Sequence, residues 1–329
     1  MMGPAPAPVY QERALQIPCG GDTLLGILST PAHTAPHEAN AQLAVVVVVG
    51  GPQYRAGSHR LFVQLCRHLA AQGFTALRFD VRGMGDSTGE QRSFEHLSDD
   101  IAAAIDALQR ARPAVQRVVL WGLCDAASAA LLYGHQANDP RLAGLCLLNP
   151  WVRSASTLAR THVKHYYLQR LKEPAFWRKL LSGQVAGKAA RELWHNLRAA
   201  SAGEAGAQGQ HDRPGAPRAE LHLPFAERMA LGLQRSPVPT LLVLSGRDLT
   251  AREFEDVSGT HPAWRAALRQ RPGLQVHKLE EADHTLSSSE DARQLLEDCV
   301  AWLHQVVAGC WTQGGVPSSS PAALARAAA

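Results

Sequence analysis

The sequence has no apolar run long enough to cross a membrane. Its longest apolar stretch runs from Leu43 to Val49, whereas a membrane-spanning helix needs about 20 apolar residues. The stretch MMGPAPAPVYQER at the start also lacks the cationic beginning and apolar core of a secretion signal. We therefore expect no transmembrane segment and a cytoplasmic location.

Cysteine is scarce and scattered, and the six cysteines lie at positions 19, 66, 124, 146, 299 and 310. None of them forms a CxxC pair or has the histidine spacing of a zinc site. Reduced thiols are the simplest interpretation, and neither a metal nor an organic cofactor is predicted. The 46% apolar and 19% charged residues are typical of a globular protein, which excludes disorder, collagen and a disulfide-stapled miniprotein.

The net charge of +4 hides an uneven distribution along the chain. Residues 153–235 hold 14 Lys/Arg and 6 Asp/Glu, a balance of +8, while the rest holds 19 and 23, a balance of −4. This basic segment predicts an anionic ligand, such as a phosphorylated carrier, a coenzyme A-like thioester, an acidic sugar or, by peripheral contact, membrane headgroups. The alternative is a solvated helical face. A nucleic-acid partner is not expected, because no motif for one is present.

Short β-rich runs alternate with helical patterns on both sides of the basic segment. This order predicts an α/β fold with a mostly parallel central sheet and helices on both faces. The predicted strands are 13–17, 24–29, 43–49, 74–79, 117–121, 142–148, 240–244 and 274–279. The predicted helices are 58–72, 94–111, 124–133, 262–271 and 290–307.

A single domain with one insertion accounts for this order of elements. Residues 10–152 and 236–310 form the predicted core, and residues 153–235 form a helical insertion that contains a flexible loop at 200–219. Residues 311–329 are low in complexity and are predicted to be disordered.

The sharpest chemical signal is the stretch VVLWGLCDA, which ends at Ala126. A hydrophobic strand runs into Gly122-x-Cys124-x-Ala126, and a helix of small residues follows. This arrangement matches a nucleophile elbow, with cysteine in place of the usual serine. Small residues are needed at both flanks because the turn is tight. The turn lifts the thiol to a helix N-terminus, where backbone N–H groups favour a thiolate and later an oxyanion.

An acid and a base follow later in the chain, each just after a predicted strand. Asp248 comes after the next-to-last strand, in SGRD, and His284 comes after the last strand, in ADH. The order nucleophile, acid, base is the one found in α/β-hydrolases. Asp256 is a weaker alternative for the acid, and Ser128, which also has small flanking residues, is a weaker alternative for the nucleophile.

Two further loops follow strands in the first half. In the loop GGPQ, Pro52 has no N–H and cannot bind an oxyanion. We expect Asp125 to supply one backbone donor and Gln53 the other, with Gly51 as the second choice. The loop DVRGMGDS, from Asp80 to Ser87, is interpreted as structural, with substrate binding as the alternative.

Three residues beyond the oxyanion loop are candidates for the substrate pocket. Arg55, Ser58 and His59 either line that pocket or belong to a helix N-terminus that Ser58 caps. The two interpretations stay open, and Arg55 and His59 are the substrate-binding candidates that we carry forward.

These motifs resemble the α/β-hydrolase superfamily over about 230 residues, with four motifs in order at strand ends. More narrowly, the stretches VVGGPQYRAGSHR, LRFDVRGMGDSTG and GLCDAASAALLY resemble exosortase A system-associated hydrolase 1, a type with a cysteine nucleophile. The resemblance implies a bacterial cytosolic hydrolase linked to exopolysaccharide and exosortase systems, and it implies that the basic insertion is a lid.

Roles follow from this arrangement as a hypothesis. His284 takes the proton of Cys124, Asp248 orients the imidazole, and the thiolate attacks an acyl carbonyl of an ester or thioester. The alternatives are acyl transfer through the same acyl-enzyme and a binding protein of this fold without turnover, which a blocked elbow would favour. Asp125 is unusual, because it places an anion beside the nucleophile.

Overall fold

The computed structural model describes residues 9–32, 38–51, 53–153, 220, 222–269 and 271–309. These residues form one eight-stranded sheet in the order β1-β2-β4-β3-β5-β6-β7-β8. The strands are β1 (Tyr10–Cys19), β2 (Asp22–Pro31), β3 (Leu43–Val48), β4 (Thr75–Phe79), β5 (Arg117–Leu123), β6 (Leu142–Leu148), β7 (Thr240–Ser245) and β8 (Leu274–Leu279).

The first two strands form an antiparallel hairpin, and β2 pairs antiparallel with β4. All pairings from β4 through β3, β5, β6 and β7 to β8 are parallel. The prediction of a mostly parallel sheet is therefore confirmed. Because β3 and β5 to β8 run in the same direction, their carboxyl ends meet at one edge, where ligands of such sheets bind.

Helices cover both faces of the sheet. The described helices are α1 (Glu38–Ala41), α2 (Leu61–Ala71), α3 (Ser98–Ala111), α4 (Asp125–Gln136), α5 (Phe225–Arg235), α6 (Leu249–Thr260), α7 (Pro262–Arg269) and α8 (Ser289–Ala308), with 3₁₀ turns at Ser58–Arg60 and Phe94–His96. Helices α2 and α8 pack on one face, and α3 to α7 pack on the other. None of these helices is both long and apolar enough to span a bilayer.

Strand β3 shows why the valine run forms the centre of the sheet. All six of its residues are buried. Val46 and Val48 belong to the apolar core on one face, and Val45 and Val47 belong to the core on the other. Burying one such side chain contributes about 1.5–3 kcal/mol, so a strand that is apolar on both faces is stable only between two helical layers.

The predicted lid boundary falls at the end of α5. This helix packs against α4 and α7 and buries Met229, Ala230 and Leu233 in the core, so the described end of the segment 153–235 belongs to the helical layer. The predicted loop at 200–219 and the predicted tail at 311–329 lie outside the described residues.

Candidate active site

Cys124 occupies a strained turn between β5 and α4. Its backbone angles are φ 62° and ψ −123°, a region that costs a non-glycine residue about 1–3 kcal/mol. The turn is held by backbone hydrogen bonds on both sides, because the Cys124 N–H donates to the Leu148 carbonyl at 2.9 Å and the Trp151 N–H donates to the Cys124 carbonyl at 3.2 Å. The thiol is only partly buried.

Gly122 shows why the flank of this turn must be small. A Cβ at this position would lie 2.5 Å from the carbonyl carbon of Ala126 and 2.6 Å from the nitrogen of Ala127. Strand β5 and the start of α4 therefore pass too closely for any side chain at position 122. The local geometry is that expected of a nucleophile elbow.

Asp248 and His284 reach Cys124 from the loops after β7 and β8. The Asp248 Oδ2 atom lies 2.7 Å from His284 Nδ1, and its Oδ1 accepts from the Thr250 N–H at 2.9 Å as the N-cap of α6. The Cys124 sulfur acts on the same imidazole and raises the pKa of His284. The three side chains singled out in the sequence therefore lie together.

The neighbouring Asp248 and Cys124 side chains change the pKa of His284. Hydrogen bonding to the Asp248 carboxylate and then to the Cys124 sulfur raises the pKa of His284 from 6.5 to about 10, against an opposing effect of burial. An imidazolium at this position is paired with a carboxylate that is 5% exposed. The arrangement can hold a proton on His284 while a thiolate forms beside it.

The loop that carries His284 is held by a residue that sequence reasoning missed. The Asp283 Oδ1 atom accepts from the Thr285 N–H at 2.9 Å and from the Ser287 N–H at 3.1 Å. The Ser287 hydroxyl and these N–H groups lower the pKa of Asp283 to about 2. The spacing Asp-x-Thr-x-Ser is a signal for such a side-chain turn and could have identified it.

The two loops that carry the acid and the base are also tied to each other. The Gly246 N–H donates to the Leu279 carbonyl at 2.8 Å, and the Arg247 N–H donates to the Ala282 carbonyl at 3.0 Å. A Cβ at Gly246 would lie 2.2 Å from the Glu280 carbonyl oxygen. This close approach positions Asp248 within reach of His284.

The other side of Cys124 is occupied by the side chain of Asp125. A Cβ at Gly50 would lie 2.1 Å from Asp125 Oδ1 and 2.7 Å from the nitrogen of Ala126. The N–H groups of Gly51, Ala126 and Asp125 itself act on this carboxylate and favour its charged form. Two of these three groups, those of Asp125 and Gly51, are oxyanion donors expected from the sequence.

Burial of this carboxylate raises the pKa of Asp125, although the three N–H groups and the charge of His284 act in the opposite direction. Gln53, the preferred second donor, is half-buried, and its Oε1 atom is buried without a hydrogen-bond partner in the described part of the chain. Pro52 lies outside the described residues.

Arg55 is already engaged by carboxylates of the loop Asp80 to Ser87. Its guanidinium pairs with Asp80, which is fully buried, and lies 2.8 Å from Asp86. The Tyr54 hydroxyl also donates to Asp86, at 2.6 Å. These contacts join the oxyanion loop to its neighbour and give Arg55 an internal role.

The other candidates near the oxyanion loop are more exposed. His59 is exposed in the 3₁₀ turn, with φ 51°. Ser58 makes no capping hydrogen bond, and α2 begins only at Leu61. The capping interpretation is therefore wrong for Ser58.

The alternative nucleophile and acid lie elsewhere. The Ser128 hydroxyl is buried and donates to the Trp151 carbonyl at 2.7 Å, so it fastens α4 to the loop after β6. Asp256 lies two turns beyond Asp248 in α6, while His284 contacts Asp248.

The part of the chain that the structure describes contains no candidate metal site. Across the described ranges, no three His, Cys, Asp or Glu residues are close enough together to hold a metal ion. The chemistry that the described side chains can perform is proton transfer and nucleophilic attack.

Comparison with known proteins places the fold in a hydrolase family. Residues 40–253 match the family described as serine aminopeptidase, S33. A 78-residue stretch is 40% identical to human Protein ABHD12B, and it covers 24% of this chain and 20% of that protein. The chain thus spans much less than two thirds of this relative.

Solved structures agree over nearly the whole chain. An esterase from Pyrococcus furiosus has a TM-score of 0.57 at 13% identity, covering 90% of this chain and 91% of that one. Est1E from Butyrivibrio proteoclasticus, solved with ferulic acid, has a TM-score of 0.56 at 15% identity, covering 90% and 100%. An esterase domain from Rhodothermus marinus has a TM-score of 0.53 at 19% identity, with the same coverage. The α/β-hydrolase fold is therefore confirmed.

Proposed function

Because this chain belongs to the hydrolase family described as serine aminopeptidase, S33, we propose that it hydrolyses esters or thioesters through Cys124, His284 and Asp248. The observation that carries the proposal is the chain of contacts from Asp248 through the His284 imidazole to the thiol at the strained elbow. The esterases of the same fold support ester hydrolysis as the reaction class.

The proposed reaction has two steps. The Cys124 thiol gives its proton to His284, its sulfur attacks the acyl carbonyl carbon, and the carbonyl π electrons move to oxygen. The tetrahedral intermediate then reforms the carbonyl and expels an alkoxide or thiolate, which takes the proton from His284. Water then gives a proton to His284 and attacks the thioester, which releases the acid and restores the thiol. A thiol suits activated acyl groups, and amide bonds are less suitable.

The resemblance to exosortase A system-associated hydrolase 1 bears on the source of the substrate. We infer from the stretches VVGGPQYRAGSHR, LRFDVRGMGDSTG and GLCDAASAALLY an acyl substrate connected with bacterial exopolysaccharide and exosortase systems. The basic balance of residues 153–235 supports an anionic or carrier-linked form of it.

One observation favours a second candidate, a binding protein without turnover. The Asp125 carboxylate lies against Gly50 and Gly51 of the oxyanion loop, and an obstruction of this kind is what a protein without turnover would retain. Reactivity of Cys124 separates the two candidates, because a binding protein needs no acyl-enzyme.

The test combines turnover with adduct mapping. The wild type and Cys124→Ala are assayed with p-nitrophenyl esters and acyl thioesters of several chain lengths, and trapped adducts are located by peptide mass spectrometry. We expect an initial burst, an acyl group on Cys124 and loss of turnover in the variant by about 10³-fold or more.

Other cysteines of the chain serve as internal controls. Burial raises the pKa of Cys19 to about 11 and that of Cys66 to about 12, so both remain protonated near neutral pH. Turnover that is unchanged in Cys124→Ala, or an acyl group on Cys19 or Cys66 instead, would overturn the proposal.

A further inference from the structure

The Asp125 side chain occupies a small anion site beside the nucleophile. A Cβ at Gly51 would lie 3.5 Å from Oδ2 of this carboxylate, and the N–H groups of Gly51, Asp125 and Ala126 favour its charged form. The carboxylate lies so close to Gly50 that a Cβ there would be 2.1 Å from Oδ1. A carboxylate held by convergent N–H groups at a helix N-terminus is a close chemical match to an oxyanion in such a site.

Two of these N–H groups are of the kind that binds the charge developing during acyl transfer. In a nucleophile elbow, the N–H of the residue after the nucleophile and an N–H of the loop after the neighbouring strand bind the oxyanion. Here these are the N–H groups of Asp125 and of the loop after β3, to which Gly51 belongs. A substrate oxygen and the Asp125 carboxylate therefore compete for the same donors.

We propose that Asp125 is an internal competitor for the oxyanion site, so that its side chain must leave the N–H groups of Gly51 and Asp125 before a substrate oxyanion binds. The inference rests on the proposed function of Cys124. It makes Asp125 a positioning residue that lowers the basal rate, because two anions cannot share one set of donors. It also explains why an anion stands beside the nucleophile in this chain.

The test measures oxyanion binding directly with an alkyl trifluoromethyl ketone. The Cys124 sulfur adds to its carbonyl and the carbonyl electrons form an alkoxide, so the adduct needs the oxyanion site. Alkylation of Cys124 by iodoacetamide forms a C–S bond and releases iodide without any oxyanion. The ketone inhibition constant and the alkylation rate are compared for the wild type, Asp125→Ala and Asp125→Asn, at a pH above which the alkylation rate no longer rises.

We expect the ketone to bind about 10- to 100-fold more tightly to Asp125→Ala, since one oxyanion donor is worth a factor of about 10²–10³ in catalysis. Asp125→Asn, which keeps the shape but loses the charge, should lie between the two, and the alkylation rates should agree within about twofold. Ester turnover should rise in the same order. Asp106→Asn is the matched control, because Asp106 is an exposed carboxylate on α3 that pairs with Arg141 just before β6, at the opposite edge of the sheet.

The outcomes distinguish this inference from the proposed function. Equal or weaker ketone binding in both Asp125 variants, with Cys124 still alkylated, overturns the inference and leaves the nucleophile in place. Absence of both adducts on Cys124 in every protein overturns both proposals. A thermal melt of each variant checks that it is folded, and the Asn variant preserves the packing against Gly50 if Asp125→Ala does not fold.

Discussion

On one side of Cys124, the side chains of Asp248 and His284 already contact each other at 2.7 Å. On the other side, the Asp125 carboxylate lies against Gly50 and Gly51 of the oxyanion loop, and the N–H groups of Gly51 and Asp125 favour its charged form. The acid–base half is thus assembled for proton transfer, whereas the oxyanion half is occupied by the protein itself. Proton transfer and oxyanion binding, the two requirements of acyl transfer, are thus met by different parts of the chain, and one can be assembled while the other is not.

Removal of the His284 imidazole should produce the largest loss of activity. His284→Gln cannot carry a proton between Cys124 and the leaving group, so we expect kcat/KM for a p-nitrophenyl ester to fall by about 10³–10⁴-fold. His277→Gln is the matched control, since His277 on β8 contacts Asp298 at 3.2 Å. A similar loss in both variants would mean that the effect is general and that the acid–base half is not specific to His284.

The effect of Asp248 should be visible in the titration of His284. Asp248 is the main cause of the raised pKa of His284, so in Asp248→Asn the imidazole should titrate well below 10, as followed by NMR of ring-labelled histidine. A His284 that still titrates near pH 10 in this variant would rule out Asp248 as its partner.

The raised pKa of His284 also predicts how the free energy of unfolding changes with pH. Because the folded pKa lies above the ordinary value of 6.5, the contribution of His284 to the free energy of unfolding is complete below pH 6.5. It is lost as the pH rises through about 10. Urea unfolding at several pH values should show this loss in the wild type and a smaller loss in Asp248→Asn.

The oxyanion half can be disturbed through packing alone. Gly50→Ala should lower the free energy of unfolding by about 1–3 kcal/mol, because its Cβ would overlap the Asp125 carboxylate. The cost should be smaller when Asp125→Ala is also present, although contact with the Ala126 nitrogen remains. Urea unfolding of the four proteins in this double-mutant cycle gives the coupling.

Gly134→Ala is the control for this cycle. Gly134 lies inside α4, and the nearest atom to its added Cβ would be 3.6 Å away, so we expect a gain of up to about 1 kcal/mol from helix propensity. If Gly50→Ala costs the same with and without Asp125, then the two residues are not coupled.

The succession of strands along the chain could be predicted because hydrophobic periodicity is a local property of the sequence. The valine run of β3 and the two glycines before Asp22 identify a buried strand and a hairpin turn, and both strands of that hairpin extend further than their apolar residues suggested. Helix α6 could not be predicted, since Val257, Ser258 and Thr260 are poor helix formers. It is stabilised by tertiary packing, as in the Phe254 ring against Trp264 at 5.0 Å.

Helix α2 begins later than predicted because of a side-chain contact that the local sequence pattern does not reveal. The Phe62 ring packs against Gly57, where a Cβ would lie 2.7 Å away. His59 and Arg60 then adopt φ values of 51° and 61°, and the helix begins at Leu61 instead of Ser58. Side-chain packing of this kind has no signature in propensity.

Residue patterns alone predicted the succession of strands along the chain, the elbow around Cys124, and the two loops that carry Asp248 and His284. They could do so because parallel strands bring their carboxyl ends to one edge whatever the details of packing. The position of the Asp125 carboxylate could not be predicted, because it depends on how closely the end of β3 approaches the start of α4. Gly50 has no side chain, and this is what admits the carboxylate there.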